Sequence, residues 1–534
     1  MTTIFAAKAA PAGNKLRGGY YTPQPLARFV AGWVAQAGPQ LLEPSCGDGA
    51  ILEFLNVKGR AVGIELFPDE AIRAAERTGA EVITADFFEW FSGIAEGEFD
   101  GVAGNPPYIR FGSWDEKYRE PAFELMRRKG LHPSRLTNAW LPFVVAAVAA
   151  VRNGGRIGLV RRAELLQVSY AAVLRACLVD SWSEIAVVSF AEPAFPGILQ
   201  EVIVLLAVKG EGPASLRTVE VSNGSQLHDL ETDKAAARAP LHEREKWTKY
   251  FLSADQIETM RALRDDPRLS PLRSYAAVNV GVVTGRNSFF CLTETEAKAR
   301  NIHHHTIGLV SRSAQLESIR LNADDLGTAA ERGLKTRLLA LQGGLDLSHE
   351  PDLERYVKLG EDEDVHRGYK CSIRSSWWSV PSVSIPDGFM LRQVSKWLRV
   401  SANDANATST DTVHRVFTKP GVAMEKLAVA TLNSVTLAFA EIMGRSYGGG
   451  LLELEPSECV SLPIPDPALI PDELVDQVDE LLRADDILSA IRLVDRVVLG
   501  ERLRISEVTI DDAAGAGSRL RERRLARGRK SSID

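Results

Sequence analysis

The segment Leu41-Leu-Glu-Pro-Ser-Cys-Gly-Asp-Gly-Ala50 joins an apolar strand to a glycine-rich turn, and a helix is predicted from about Ala50. Gly47 and Gly49 have no side chain, so the backbone of this turn could approach a ligand closely. Ligands of open α/β sheets bind at the carboxyl ends of strands, which makes the turn a candidate binding site. An ordinary strand-to-helix turn would explain this segment equally well if it stood alone.

The same pattern continues along the chain, where short apolar runs alternate with amphipathic stretches. The predicted strands cover residues 40–43, 61–65, 82–84, 101–103, 156–160, 185–188 and 202–208. Helices are predicted over Pro68–Thr78 and over 139–152, the second ended by the turn Asn153-Gly154-Gly155. This alternation indicates a doubly wound, Rossmann-like α/β domain with a largely parallel sheet.

The chain beyond residue 210 is less regular. A polar stretch over 210–245 is predicted to be a linker or irregular region. Strand-like runs follow at 278–283 and 309–311, and helices are predicted near 422–443 and 471–499. We therefore predict an α/β domain over 1–225 and an α+β domain over 226–534, which ends in helices and a basic tail.

The composition is that of a globular protein, with 45% hydrophobic and 25% charged residues. No apolar run approaches the roughly 20 residues that span a membrane, and the first residues lack a secretory signal, so a cytoplasmic protein without membrane contact is expected. The five cysteines form no C-x-x-C pair, which disfavours a disulfide framework and a structural zinc site. With a net charge of −7, nucleic-acid contact would depend on local basic patches; the run at 519–530 is one candidate, or equally a solvated end.

Acidic residues end the next two predicted strands. Glu65 lies about 20 residues beyond the glycine turn, the usual position of a carboxylate that binds ribose hydroxyls. Asp86 could accept a hydrogen bond from the exocyclic amine of an adenine ring, and Phe87 offers that ring an apolar face. No P-loop pattern is present, which disfavours a nucleoside triphosphate. Three successive strand ends with polar groups predict one ligand site.

The most specific motif is Asp100-Gly-Val-Ala-Gly-Asn-Pro-Pro-Tyr108, at the end of the fourth predicted strand. Pro106 and Pro107 fix φ and so set the directions of the backbone carbonyls, while Asn105 adds a side-chain carbonyl. Two acceptors aligned on the hydrogens of a conjugated, planar amine could localise its lone pair towards a methyl group. We expect Asn105 Oδ1 and the Pro106 carbonyl to be those acceptors and Tyr108 to stack on the base. The alternative is a rigid turn with a buried tyrosine.

These segments resemble the gamma-class, Taq-type N6-adenine DNA methyltransferases of restriction-modification systems. Gly19-Tyr-Tyr-Thr-Pro23 resembles that family's N-terminal cofactor segment, residues 42–49 its glycine loop and residues 105–108 its catalytic loop, in the same order. The resemblance implies site-specific methylation of adenine in double-stranded DNA, with S-adenosylmethionine as cofactor. The cofactor-binding residues that it implies are Tyr21, Thr22, Glu43, Cys46, Gly47, Gly49, Glu65, Leu66, Asp86, Phe87, Asn105 and Pro107.

By the same resemblance, Phe195 rather than Phe190 is the second aromatic residue that encloses the target adenine, and the adenine must be flipped out of the duplex to reach it. The predicted catalytic group is Asn105, Pro106, Tyr108 and Phe195. The sequence departs from the family at Arg161-Arg162-Ala163, where family members often carry a proline-containing apolar turn. The resemblance therefore assigns no role to that loop.

Two glycine-flanked segments, at 281–290 and 444–450, resemble parts of the family's target-recognition domains. The candidate DNA contacts are Arg286, Asn287, Arg445 and Tyr447, although a turn or surface role would explain each equally well. His303-His304-His305 could suggest a metal ligand set. Because adjacent residues on a strand face opposite sides, a solvated loop is preferred, and no metal site is expected.

Three other functions remain open from the sequence. A protein-glutamine methyltransferase would share the chemistry of the catalytic loop, but such enzymes have little chain after the catalytic domain, whereas more than 300 residues follow residue 210 here. A catalytically silent DNA-specificity protein would not need an intact loop and its acids. No convincing nuclease segment supports a fused restriction nuclease. The expected partner is double-stranded DNA, and a cognate restriction endonuclease encoded nearby is a further candidate.

Overall fold

The computed structural model describes residues 21–135, 137–167, 171–195, 201–239 and 246–529. The chain forms two compact units. The first unit comprises the chain up to Phe251, together with Ser446–Gly449 and the segment from Ala526 onward. The second unit comprises Leu252–Arg445 and Gly450–Leu525.

An eight-stranded sheet forms the centre of the first unit. Its strands are β1 (Gln40–Glu43), β2 (Arg60–Glu65), β3 (Glu81–Thr84), β4 (Phe99–Gly104), β5 (Val151–Arg162), β6 (Trp182–Phe190), β7 (Val202–Lys209) and β8 (Ser215–Val221). The strand order is β3-β2-β1-β4-β5-β7-β6-β8. All pairs are parallel except the two that β7 makes, with β5 and with β6. The order reverses beside β1, and this is where open α/β sheets bind ligands.

Helices cover this sheet on both faces. They are α1 (Gln24–Val34), α2 (Leu52–Asn56), α3 (Pro68–Thr78), α4 (Phe87–Phe91), α5 (Glu116–Arg128), α6 (Trp140–Ala150), α7 (Glu164–Gln167) and α8 (Ala172–Ser181). Leu41 packs in a cluster with Leu26 and Val30 of α1, whereas Leu42, the next residue of β1, is fully buried on the opposite face. The prediction of a doubly wound α/β fold is confirmed.

Three details of the first unit differ from the prediction. The helix predicted over 139–152 ends at Ala150, because Val151 already pairs with Phe99 and the Asn153-Gly154-Gly155 segment lies inside β5 as an irregularity. The stretch predicted as a linker contains β8, which pairs in parallel with β6. The unit extends past the predicted boundary at 225 to Phe251, since Tyr250 is buried and its carbonyl accepts a hydrogen bond from Thr218 of β8.

The second unit is an α+β assembly of smaller sheets, as predicted. A five-stranded sheet has the order β10 (Ala276–Asn279), β19 (Val413–Thr418), β15 (Gly388–Leu391), β17 (Val400–Asn403) and β13 (Arg320–Leu321). A four-stranded sheet has the order β11 (Cys291–Thr293), β14 (Lys335–Leu339), β12 (Thr306–Val310) and β18 (Thr408–Ser409). The short strands outside these two sheets are β9 (Leu269–Pro271), β16 (Gln393–Val394), β20 (Arg445–Tyr447), β21 (Leu451–Glu453) and β22 (Pro463–Pro465). The α-helices of this unit are α9 (Ala254–Arg264), α10 (Asn287–Phe290), α11 (Glu294–Ala299), α12 (Ala323–Glu331), α13 (Pro351–Asp362), α14 (Tyr369–Ser372), α15 (Met424–Thr431), α16 (Ser434–Met443), α17 (Pro456–Cys459), α18 (Asp472–Arg483), α19 (Ile487–Val494) and α20 (Glu507–Arg529), whose last residues are assigned to the first unit.

The predicted helix over 422–443 is two helices, α15 and α16, bent by 75° at the intervening residues. The backbone is not helical at Leu432 and Asn433, and the Asn433 side chain caps the start of α16 by accepting a hydrogen bond from the Thr436 amide. Only the two helices together have the length and apolar composition of a membrane span, and most of their residues are buried. No single helix in the described part of the chain is long and apolar enough to cross a membrane.

Candidate active site

The first unit contains a cavity of about 550 Å³ beside the carboxyl ends of β1, β2, β3 and β4. The loops that follow these four strands form most of its wall. The residues predicted from the sequence that line this cavity are Tyr21, Thr22, Glu43, Cys46, Gly47, Glu65, Leu66, Asp86, Phe87, Asn105 and Pro107. The fold therefore brings together side chains that lie far apart in the sequence.

The Glu65 carboxylate organises the glycine turn. Its Oε2 accepts a hydrogen bond of 2.9 Å from the Gly47 amide, and its Oε1 accepts one of 3.0 Å from the Phe67 amide. Gly47 has φ of 53°, a left-handed conformation that favours glycine, and no atom lies near the position that its Cβ would occupy. Burial raises the pKa of Glu65, although both hydrogen bonds lower it. The turn is thus held in shape, with a bare backbone beside the cavity.

Glu43 is the least solvated acid of the cavity wall. It is 2% exposed, and its Oε2 has no hydrogen-bond partner within the described part of the chain. Burial raises the pKa of this carboxyl well above its ordinary value. Burial likewise raises the pKa of the nearby Cys46 thiol, so this cysteine is not an activated nucleophile. A buried acceptor without a partner fits a donor or a positive charge on a bound ligand.

Asp86 follows β3 and caps helix α4. Its Oδ1 accepts hydrogen bonds from the amides of Phe88, at 2.9 Å, and Glu89, at 3.0 Å. Burial raises the pKa of the carboxyl. Beside it, the ring of Phe87 is stacked on Phe143 with 5.2 Å between centroids. The carboxyl group therefore stands at the edge of an aromatic surface, an arrangement suited to a planar ring that carries an amine.

The catalytic loop leaves the end of β4 at the cavity. Asn105 donates a hydrogen bond of 3.3 Å from Nδ2 to Thr22 Oγ1, and Thr22 is itself buried. Because the amide nitrogen is directed at Thr22, the Oδ1 atom of Asn105 faces the other way. Asn105 and Pro107 line the cavity, whereas Pro106 is buried and Tyr108 lies outside the lining. The loop thus joins the cavity on one side to Tyr108 on the other.

Tyr108 is held by the segment at which the sequence departs from the family pattern. The Arg162 amide donates a hydrogen bond of 3.1 Å to the Tyr108 hydroxyl, and the Arg162 guanidinium lies 3.9 Å from the centroid of the Tyr108 ring. Arg161 is 1% exposed, and its guanidinium nitrogens make no hydrogen bond within the described residues. Burial lowers the pKa of Arg161 to about 10. Two arginines therefore stand next to the predicted base-stacking ring.

Gly49 and Phe195, like Pro106 and Tyr108, are predicted site residues that lie outside the cavity lining. Gly49 faces helix α3 instead, where an added Cβ would lie 2.7 Å from the Thr78 side chain, so close helix packing explains this glycine. Phe195 is 5% exposed and packs in the hydrophobic cluster that includes Phe190. Residues 196–200, which follow it, lie outside the described residues. Its role beside a flipped base stays a prediction.

The cavity also has lining residues that the sequence did not identify. Among the described residues that line it, every charged side chain is acidic: Glu43, Asp48, Glu65, Glu70, Asp86 and Asp115. Asp48 lies inside the glycine turn, so its neighbours in the sequence could have indicated it. No sequence pattern indicates the three aromatic lining residues Trp114, Tyr118 and Phe143. They lie just before α5, in α5 and in α6, and only tertiary packing brings these elements to the strand ends. The remaining additions are Pro44, Ser45, Ala50, Ile64, Phe67, Ala85, Phe88, Ile109, Ser113 and Ala139.

The four candidate DNA contacts are not equivalent. Arg286 and Asn287 are exposed in the second unit, where Thr284 accepts a hydrogen bond from the Arg286 amide and donates one to Asn287 Oδ1. Arg445, also in the second unit, directs its Nε at Glu458 Oε1 over 3.2 Å. Tyr447 belongs to the first unit and is 48% exposed. Arg286 is therefore the more available of the two cations.

Two family models match successive parts of the chain. The one described as Eco57I restriction-modification methylase matches residues 63–195, which include the catalytic loop. The one described as the C-terminal domain of the type II methyltransferase M.Eco57I matches residues 244–499, nearly all within the second unit.

Full-length relatives agree with these matches. The type II methyltransferase M.AccI of Acinetobacter calcoaceticus is 22% identical over 82% of this chain and 83% of its own length. M.XamI of Xanthomonas campestris pv. amaranthicola is 24% identical over 84% of this chain and 85% of its own length. The fold is similar to that of the type IIL restriction-modification enzyme MmeI in complex with DNA, with a TM-score of 0.57 and 12% identity over 93% of this chain and 75% of that chain. The matching family models and the relatives are methyltransferases of restriction-modification systems, and this chain is similar to them over most of its length.

Proposed function

We propose that the chain is a site-specific DNA methyltransferase that transfers the methyl group of S-adenosylmethionine to the N6 amine of a flipped-out adenine in double-stranded DNA, as part of a restriction-modification system. The observation that carries this proposal is the position of the catalytic loop. Asn105 and Pro107 line the acidic cavity, and Tyr108 continues from them towards Arg162. A cofactor in the cavity and a base on Tyr108 would meet at Asn105.

The charge and the lining residues of the cavity suit S-adenosylmethionine. A sulfonium and an ammonium give this cofactor two positive centres, and all charged lining residues among those described are carboxylates. The buried, unpartnered Oε2 of Glu43 is one such acceptor. Asp86 and the Phe87 ring would bind the adenine moiety, and Glu65 would bind the ribose. When bound there, the cofactor supplies an electrophilic methyl group.

Asn105 and the Pro106 carbonyl would activate the amine. The Thr22 hydroxyl holds the amide nitrogen of Asn105, so Oδ1 is oriented before substrate arrives. Two fixed acceptors align the amine hydrogens and localise the nitrogen lone pair towards the methyl group. As the nitrogen–carbon bond forms and the carbon–sulfur bond breaks, the nitrogen would gain positive charge, which these oxygens would stabilise, and it would then release a proton to solvent. Such preorganised acceptors need no covalent enzyme intermediate, consistent with the raised pKa of Cys46.

Tyr108 would bind the target base by stacking. Its hydroxyl is anchored by the Arg162 amide, so the ring plane is fixed. The guanidinium of Arg162 lies over one ring face, 3.9 Å from the ring centroid, so a stacked base would have to use the opposite face. Stacking on an aromatic ring contributes about 1 to 3 kcal/mol per base and would offset part of the cost of flipping.

Duplex DNA as the substrate is supported by the second unit. A protein-glutamine methyltransferase would use the same loop chemistry, because a glutamine amide is also planar, but the second unit would have no evident purpose in it. M.AccI and M.XamI, similar over most of their length, are type II methyltransferases, and MmeI was solved in complex with DNA. A cognate endonuclease remains a candidate partner, as in other restriction-modification systems.

The test is a labelling experiment. The protein is incubated with S-adenosylmethionine radiolabelled in the methyl group and with mixed-sequence duplex DNA, and the DNA is then digested to nucleosides. Label in N6-methyladenine is the expected result. Label in 5-methylcytosine, in N4-methylcytosine or in added protein would contradict the proposal. DNA binding without any transfer would indicate the catalytically silent specificity protein.

A further inference from the structure

The three successive histidines of the second unit do not lie on a strand. His303–His305 form a turn of 3-10 helix immediately before β12. In such a turn successive side chains are about 120° apart rather than the 180° of a strand, so two neighbouring side chains can converge on one group. The reason for expecting a solvated loop, that adjacent residues point in opposite directions, therefore does not apply to this segment.

His304 and His305 both face Glu350, the residue before helix α13. His305 Nε2 lies 3.2 Å and His304 Nε2 3.6 Å from Glu350 Oε2, and the two imidazole rings are 4.1 Å apart. One ligand atom from each residue lies within 4.8 Å of the others. Among the described residues, this is the one group of three or more His, Cys, Asp or Glu side chains close enough to share a metal ion. The side chain of His305 is 15% exposed, so this group reaches into the unit.

We propose that His304, His305 and Glu350 bind a zinc-class divalent metal ion, with water at the fourth position. Imidazole nitrogen and carboxylate oxygen are ordinary zinc ligands at about 2.0 to 2.2 Å. In a tetrahedral site such bonds place neighbouring ligand atoms about 3.3 Å apart, close to the two distances observed here. The ion would join the turn before β12 to the start of α13, which more than forty residues separate in the sequence, and so stabilise the second unit.

His303 provides a matched control within the same turn. Its Nε2 lies 3.0 Å from Glu294 rather than Glu350, and Glu294 is already paired with Lys298 and Arg337. His349, next to Glu350 in sequence, is a second control because its side chain is 85% exposed and faces Asp346. If substitution of His304, His305 or Glu350 lowers metal affinity and substitution of His303 or His349 does not, the loss cannot be due simply to the removal of a histidine.

The test uses the full-length protein without a histidine tag, after treatment with a chelator. Isothermal titration with Zn²⁺ should show one equivalent per chain, and Co²⁺ should give the intense visible absorption of a four-coordinate site. His305→Ala and Glu350→Gln should each weaken Zn²⁺ binding at least about 10-fold, whereas His303→Ala and His349→Ala should leave it unchanged. Glu350 makes no side-chain capping hydrogen bond with α13, so Glu350→Gln should not disturb that helix.

Circular dichroism of each metal-free variant shows whether it folds, and Mg²⁺, which prefers oxygen ligands, serves as the control metal. Thermal unfolding of the wild-type protein should shift upward with Zn²⁺, and the shift should be absent in Glu350→Gln. Absence of stoichiometric Zn²⁺ binding, or equal binding by all four variants, would overturn the proposal. The outcome does not depend on methyl transfer.

Discussion

Asn105 is the residue on which the proposed chemistry depends most directly. Its side chain is positioned by Thr22 and lines the cavity, so Asn105→Ala removes an oriented acceptor without unfolding the loop that the two prolines fix. We expect single-turnover methyl transfer to fall about 10²- to 10³-fold. Cofactor affinity, measured by equilibrium titration, should change far less because ten other predicted residues still line the cavity. Undiminished transfer in this variant would remove Asn105 from the mechanism.

Arg162 is a positioning residue for Tyr108, through its guanidinium and its amide. Arg162→Ala keeps the amide hydrogen bond and removes the cation over the ring. We expect kcat/KM for DNA to fall about 2- to 30-fold, the equivalent of the roughly 0.5 to 2 kcal/mol of a cation–π contact. Arg162→Lys keeps the charge but not the planar group, so it should restore transfer only in part.

The cofactor measurement distinguishes this role from general damage to the fold. Arg162 does not line the cavity, so S-adenosylmethionine affinity should equal that of the wild-type protein. A rise in kcat/KM for DNA in Arg162→Ala would show instead that the guanidinium blocks the ring face on which the base stacks.

Among the elements of the second unit, the junction of α19 with the π-helical segment Asp495–Arg502 depends on a buried carboxyl group. Asp495 accepts hydrogen bonds from the Ser434 amide, at 2.8 Å, and hydroxyl, at 2.6 Å, at the start of α16. Burial raises the pKa of Asp495 from its ordinary 3.8 to about 6. Because the folded-state pKa exceeds the unfolded-state value, the group stabilises the fold fully below pH 3.8, and that contribution is lost as the pH rises through about 6.

Asp495→Asn therefore should change the pH dependence of stability. Relative to this variant, the wild-type protein should lose up to about 3 kcal/mol of unfolding free energy between pH 4 and pH 7.5. Denaturant unfolding at several pH values measures the difference, and Asp404→Asn, at an exposed position, should follow the wild-type curve. A constant difference between Asp495→Asn and wild type across this range would contradict the raised pKa.

Elements of the first unit could be predicted from sequence where both faces of a strand are buried. The strands β1, β2 and β4 are apolar runs in the sequence for that reason, and most of the correctly predicted cavity residues lie at or after their carboxyl ends. The strand β8 was missed because it is only partly buried and lies at the sheet edge, so its sequence resembles a polar linker. Likewise, no local pattern indicates that Phe143 of α6 packs against Phe87. The sequence therefore indicated the local secondary structure but not the tertiary contacts between elements.

At the scale of the whole molecule, binding of a cationic cofactor and binding of DNA require side chains of opposite charge. The net charge is −7, and the cavity proposed for a cationic cofactor has acidic walls. Neither feature attracts DNA, whose phosphates are negative. Association with a duplex would therefore depend on local cations that have no acidic partner among the described residues, and Arg286 meets this condition better than Arg445, whose guanidinium faces Glu458.

The salt dependence of DNA binding tests whether local cations contact the phosphates. Each phosphate contact releases counterions, so affinity for duplex DNA should fall steeply as salt rises from 50 to 200 mM. If Arg286 contacts a phosphate, Arg286→Ala should reduce the slope of log affinity against log salt by about 1 and weaken binding to all sequences alike. Arg445→Ala should change the slope less, because Glu458 already neutralises that guanidinium. Fluorescence anisotropy with a labelled duplex gives both slopes, and a flat dependence for the wild-type protein would argue against duplex DNA as its substrate.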